Sequence, residues 1–305
     1  MKTKIVTSYY GFHDGEPFWG QLNRDRWYKY SLATVCGMGC EVVCYTDAGD
    51  KGYNQITEIK EKFNLDNLTI KVYEMINNPY QEQVHRIRMS EPEVYNNPDN
   101  RKYYTRSTQI YWMKYSFLEM EYEPGVQLYW IDSGLSHSGL FPKSSSKYST
   151  EEGYNNFYGS EYMPNEYKIY HFDKAFNPEV LERINNFAED KIINLYRNTS
   201  DDDHRSFDEK LSVNPNYENV FPVAGIFGGK SELFLEYIIK SKEVVNQILQ
   251  TNNICSEQEI MAYLNATNRQ WFKNWKFDTF YHEDWENIFT PDMISFSHFF
   301  LKNLN

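Results

Sequence analysis

Val126-Gln127-Leu128-Tyr129-Trp130-Ile131-Asp132-Ser133-Gly134 is the stretch that decides how this chain reads. An apolar run meets a single carboxylate, then Ser-Gly. Such a run fits a strand buried on both faces, the kind that builds parallel sheets. Ligands of open parallel sheets collect at the carboxyl ends of the strands. A carboxylate there, followed by a glycine that lets a ligand approach the backbone, suits a metal or ribose contact. The plainer alternative is a turn former at a strand end. Just upstream, Thr105 to Met120 reads as a helix with Ile110, Met113, Phe117 and Met120 on one face, and Pro124-Gly125 stops it.

The segments before it repeat the pattern. Lys4 to Tyr10 is a strand, Leu22 to Cys36 a helix broken by Gly37-Met38-Gly39, Glu41 to Asp47 a second strand, and Asn67 to Glu74 a third. This alternation predicts right-handed crossovers and a mostly parallel α/β sheet flanked by helices. Asn77 to Arg101 reads as a long surface excursion. Phe141 to Tyr217 is polar and reads as an insertion or lid, with a helix within 177–196. Phe221 to Lys230 is a second strongly marked strand, ending in Gly228-Gly229 and feeding a helix from Ser231 to Gln250, with Ser231 as its N-cap. Ser256-Glu257-Gln258-Glu259 has the spacing of a capping box. The division expected is one domain over 1–265, with halves 1–135 and 136–265 and the insertion at 141–217. An aromatic extension would follow at 266–305.

Composition sets outer bounds. The 305 residues are 41% hydrophobic, which excludes wholesale disorder. A net charge of −12 argues against a general nucleic-acid binder. No apolar run is long enough to span a membrane, and the N-terminal segment reads as a strand rather than a signal peptide. Aromatics are 17% of the chain; most are expected in the core, though Tyr and Trp also suit clefts that hold rings and sugars. Cys36, Cys40, Cys44 and Cys255 lack zinc-module spacing and are expected as reduced thiols of a cytoplasmic protein. Phosphate-loop, dinucleotide, nucleophile-elbow and metalloprotease motifs are all missing from the sequence. Asp201-Asp202-Asp203 is an acidic run best read as a solvated turn.

In order along residues 1 to 265, several pieces resemble a GT-A-type glycosyltransferase, and within that fold the HtrL/YibB-like bacterial group. They are Ile5-Val6-Thr7-Ser8-Tyr9-Tyr10, the helix with Trp112 and Lys114, the strand end Tyr129 to Gly134, Ala224-Gly225-Ile226-Phe227-Gly228-Gly229, and Glu257-Gln258-Glu259. The resemblance implies a GT-A-like, Rossmann-like domain that transfers a sugar from a nucleotide-sugar, a UDP-sugar being favoured. The acceptor would be a glycan or a lipid-linked glycan of bacterial surface polysaccharide. Glycosylation of protein or of modified phage DNA is the rival enzyme reading, and a non-catalytic carbohydrate-binding protein the rival from another class. The implied location is cytoplasmic, with peripheral contact at the inner membrane face.

The resemblance also assigns roles. Thr7, Ser8 and Asp47 would hold base and ribose. Arg106 would face the diphosphate or the donor sugar. Gly228 and Gly229 would let the chain pass close to donor and acceptor. Glu257 and Glu259 are the carboxylates expected beside the reacting carbon, in either an inverting or a retaining reaction. Asp132 stands where the Asp-x-Asp motif begins, which binds Mn²⁺ or Mg²⁺ to neutralise the leaving diphosphate. Gly134 occupies the second acidic position. Two solutions follow: Asp132 is helped by another ligand such as His282, or Arg106 and Lys114 replace the metal.

Overall fold

A computed structural model describes residues 2–10, 32–33, 35–49, 52–90, 105–133, 178–198 and 220–276. Seven strands make one sheet: β1 (Thr3–Ser8), β2 (Glu41–Thr46), β3 (Leu68–Val72), β4 (Gln127–Ile131), β5 (Ile192–Asn198), β6 (Val220–Lys230) and β7 (Phe272–Lys276). Their order across the sheet is β3-β2-β1-β4-β6-β5-β7. Four of the six pairings are parallel, and β6 runs antiparallel to both neighbours. The protein is therefore α/β with a mixed, mostly parallel sheet.

Every residue of β1 and β4 is buried. Period-two alternation sends these side chains to two different cores. Ile5, Val42, Cys44, Tyr129, Ile131 and Ile226 face one layer, which contains Leu32, Val35, Ile56 of α1 (Tyr53–Lys62) and Leu181 and Ile184 of α4 (Pro178–Ala188). Val6, Val43, Tyr45, Leu128, Trp130 and Phe227 face the other. That layer holds α2 (Gln81–Ser90), α3 (Thr105–Met120), α5 (Ser231–Gln250) and α6 (Glu257–Thr267). Trp112, Trp130, Tyr115, Tyr237, Phe227 and Phe234 are all fully buried, so the aromatic richness of the described residues serves the core first.

Helix α3 departs from the expected amphipathic pattern. All residues from Trp112 to Leu118 are buried, while Met120 is half exposed. The helix lies against β1 and β4 and also against α2, α5 and α6, so it has no water-facing side along that stretch. Lys114 and Ser116 are buried with the rest.

Other boundaries move for physical reasons. The stretch expected as a surface excursion contains α2, whose Val84 and Ile87 are fully buried beside Tyr80. Two apolar residues in a polar helix are enough to dock it. The segment 141–217, expected as an insertion, supplies α4 and β5, and β5 is an interior strand of the sheet. The boundary at 265 does not separate an extension either, because β7 pairs in parallel with β5. Ser231 is the first residue of α5, not its cap; Lys230 holds the cap position, without a side-chain hydrogen bond. Ser256 and Glu259 do form the expected capping box. All four cysteines are free, and burial pushes the Cys36 and Cys40 thiols up to about 12. No helix among the described residues is long and apolar enough to cross a membrane.

An ionic cluster closes the C-terminus of α3. The buried Glu121 carboxylate accepts from the Tyr45 hydroxyl at 2.6 Å, from Lys71, and from the buried Lys4 at 3.4 Å. Burial pushes the Glu121 carboxyl up, but the hydrogen bonds of Lys71 and Tyr45 and the charges of Lys71 and Lys4 outweigh it. The group is held below the ordinary glutamate value. A carboxyl with a lowered folded pKa stabilises above its unfolded value and loses that contribution as pH falls through the folded one. Glu121→Gln is expected to cost about 1.5 kcal/mol at neutral pH, since it removes the charge from the hydrogen bonds to Lys71 and Tyr45 while Lys4 keeps Glu41 and Glu123 within 3.8 Å. Urea midpoints should show that loss, with the gap to wild type narrowing as pH drops below the glutamate range.

Candidate functional site

Strand order locates the site. The chain leaves β1 toward β2 and β3, then returns to β4 on the other side of β1. At such a reversal the crossing connections diverge and leave a crevice outside the carboxyl ends of the two central strands. The ends of β1 and β4 are level: Val6 pairs with Trp130, and the Ser133 hydroxyl donates to the Ser8 carbonyl at 2.8 Å. Asp132 follows β4 at this point, and its N–H extends the ladder to the Gly225 carbonyl at 2.8 Å.

The Asp132 side chain is 39% exposed, yet its Oδ1 is firmly held. The Trp130 indole N–H donates to it at 2.6 Å. Residues two apart on a strand share a face, which brings this pair together. The Lys114 ammonium lies 3.0 Å from the same oxygen and 3.1 Å from Glu257 Oε1. It also sits 5.2 Å from the centroid of the Trp130 ring, on its face. Lys114 is 3% exposed and Glu257 6%. One buried cation thus serves two carboxylates, one inside and one at the surface.

The electrostatics follow from that arrangement. Burial pulls the Lys114 pKa down, but the charges and hydrogen bonds of Asp132 and Glu257 outweigh it and hold it above the ordinary lysine value. Lys114 therefore stays charged. Burial pushes the Glu257 carboxyl up; Lys114 opposes this, and the charge of Asp132 reinforces it. Between the two acids, Glu257 carries the larger desolvation cost.

Of the remaining expected residues, Ser8 lies beside Ser133, and Thr7 is wholly buried with its Oγ1 unpartnered among the described residues. Asp47 follows β2, and its Oδ1 packs on Gly52, where an added Cβ would lie 2.1 Å away. It shapes the turn into α1. Arg106 falls in the first turn of α3, with its side chain outside the described residues; His282 and Gly134 lie outside them as well.

The glycine pair is not at this end of the sheet. Gly228 pairs with Tyr129 and Gly229 with Leu128, so Gly228 sits about 10 Å down β6 from Gly225 at strand rise. Their smallness serves the sheet. A Cβ on Gly228 would meet the Leu128 carbonyl at 2.3 Å, and one on Gly229 the Lys191 carbonyl at 2.3 Å. Gly225, whose carbonyl receives the Asp132 N–H, is the glycine at the site. Glu259 is also committed elsewhere: its Oε2 accepts from the Ser256 N–H at 2.6 Å and from the Ser256 hydroxyl at 3.0 Å.

Sequence reasoning missed Trp130 as the group that fixes Asp132; the signal was an aromatic donor two positions before the carboxylate on a strand. It also missed a row of asparagines on β5, α6 and β7. Asn265 donates to the Asn274 Oδ1 at 2.6 Å, and Asn194, fully buried, approaches the same atom at 3.4 Å. Asn194 pairs with Phe227, which pairs with Trp130, so these amides lie level with the last residues of β4.

The expected Mn²⁺ or Mg²⁺ can be tested against these contacts. Asp132 Oδ1 already faces an indole donor and an ammonium. Glu257, the next carboxylate, faces that same ammonium. No group of three or more His, Cys, Asp or Glu side chains that could hold a metal occurs among the described residues. The described residues do not fit a divalent cation at Asp132.

No protein-family model matches the chain, and neither the curated proteins nor the solved structures yield a match.

Two substitutions check these assignments. Lys114→Met leaves two carboxylates facing each other in a buried site and should cost about 3–5 kcal/mol in urea unfolding at neutral pH. Glu257→Gln keeps the Lys114–Asp132 pair and should cost well under half of that. Wild-type stability should decline as pH rises from the ordinary glutamate range, because a carboxyl with a raised folded pKa binds its proton more tightly in the folded state. Glu257→Gln should flatten that limb. Separately, Glu259→Ala should cost about 1 kcal/mol as a lost cap and leave ligand binding unchanged in calorimetry.

Proposed function

We propose that this chain is a nucleotide-sugar-dependent glycosyltransferase of GT-A type. Its donor is taken as a UDP-sugar and its acceptor as a glycan or lipid-linked glycan of bacterial surface polysaccharide. The observation that carries the reading is Asp132. It is a partly exposed carboxylate at the reversal point of the sheet, held by buried partners through one oxygen. A side chain fixed in this way is preorganised for a polar ligand, and its second oxygen can accept a hydroxyl proton. Ser8, Ser133 and the turn shaped by Asp47 border the same end of the sheet, where a nucleoside would sit.

The assignment of roles narrows accordingly. Asp132 is the carboxylate that can meet substrate. Glu257 acts through Lys114, as a positioning residue beneath it. Glu259, Gly228 and Gly229 serve the fold. The rival reading, a carbohydrate-binding protein without catalysis, draws on the same narrowing: one exposed carboxylate remains where three were expected.

A thermal-shift series with UDP, GDP and CMP separates the two. A transferase is expected to be stabilised by one of the three, and a shift with none of them while a glycan still binds would favour the binding protein. Hydrolysis of the matching nucleotide-sugar should fall at least about 100-fold in Asp132→Ala, the scale of a lost acid–base group. It should persist in Asp202→Ala, within the acidic run outside the described residues.

A further inference from the structure

We propose that Lys114 is a built-in cation that fills the position of a divalent metal at Asp132 and keeps one from binding there. The inference rests on the proposed transferase reading for its ligand, a nucleoside diphosphate, but its geometry stands apart from it. Metal-dependent sites of this class place a hard cation against a strand-end carboxylate to offset the charge of a leaving diphosphate. Here a positive centre already lies 3.0 Å from that carboxylate oxygen. It is anchored from behind by Glu257 at 3.1 Å, and the Trp130 indole fills a further acceptor direction of the same oxygen. Lys114 comes from the stretch of helix Trp112 to Leu118, every residue of which is buried, so its ammonium cannot swing out to make room for another cation.

Charge counting points the same way. A divalent site needs an excess of negative ligands. Among the described residues, lysine between two carboxylates leaves an excess of one at most. A second cation at Asp132 would also lie within a few ångströms of the ammonium. The arrangement reads as one in which the charge of Asp132 is already balanced, leaving its other oxygen for a hydroxyl of the ligand.

The geometry makes a specific forecast for the position itself. Nζ stands about 3 Å from both Asp132 Oδ1 and Glu257 Oε1. Removing it leaves two carboxylate oxygens converging on one vacated point, an arrangement that can ligate a metal. Lys114→Ser should therefore gain Mn²⁺ binding that wild type lacks. The gain should be at least about tenfold in affinity, since even at the dielectric constant of bulk water an ammonium repels a divalent ion a few ångströms away.

Water-proton relaxation with Mn²⁺ alone, and with Mn²⁺ plus UDP, tests this in wild type, Asp132→Asn, Lys114→Ser, and Lys114→Ser combined with Asp132→Asn. The expected result is equal enhancement in wild type and Asp132→Asn, a gain in Lys114→Ser, and loss of that gain in the double variant. Mn²⁺ binding by wild type that disappears in Asp132→Asn overturns the proposal. So does a folded Lys114→Ser, verified by circular dichroism, that gains nothing. Should Lys114→Ser not fold, the comparison of wild type with Asp132→Asn decides alone. The outcomes separate from those of the functional reading. If UDP binds only with Mn²⁺, and through Asp132, the transferase survives and the built-in cation falls. If no nucleotide binds yet Lys114→Ser gains the metal, the reverse holds.

Discussion

A single buried ammonium organises the carboxyl end of this sheet. Lys114 could not remain charged in an apolar layer without its two carboxylates, and Glu257 could not remain buried without Lys114. Each of these residues comes from a different element: α3, the end of β4, and the first turn of α6. The ion triad therefore ties helix, strand and helix together at the place where the sheet reverses. Removing Lys114 leaves carboxylates without their cation, which costs more than the pairs contribute when whole, whereas removing either acid leaves the lysine one partner.

That dependence explains why α3 is so deeply placed. A surface helix could offer a lysine to the same carboxylate only on a mobile, hydrated stem. A helix packed between the sheet, α2, α5 and α6 delivers it with little freedom left. Just past the C-terminus of the same helix a similar logic holds, with the buried Glu121 gathering Lys4, Lys71 and Tyr45. The middle of this helix and its C-terminal end are thus both fixed by ionic contacts.

Legibility in the sequence followed the length scale of each signal. Strands β1, β2, β3, β4 and β6, the helices α3 and α5, and the capping box at Ser256 were readable because an apolar run, a period or a cap speaks locally. Strand β5 was hidden in polar surroundings, and β7 in an aromatic tail, because their burial comes from strands far away in sequence. Helix α2 was missed because only Val84 and Ile87 anchor it. At the site, Asp132 and Lys114 were legible as residues but their partnership was not, since nothing local says that a helix lysine reaches a strand-end carboxylate. Gly228 and Gly229 misled for the opposite reason: small residues where backbones crowd inside a sheet look in sequence like small residues at a ligand. Glu259 did too, since a cap and a catalytic acid share one spelling.

The pairing of Thr3 with Gln127 has a bearing on how the chain comes to be folded. Strand β1 must wait for a partner, β4, synthesised long afterwards, and β5 must likewise wait for β7. Parallel neighbours so distant along the chain impose a heavy loop-closure entropy before any reward arrives. Until Gln127 is made, one flank of β1 has backbone N–H and C=O groups with no strand to pair with, the kind of edge on which chains pair wrongly.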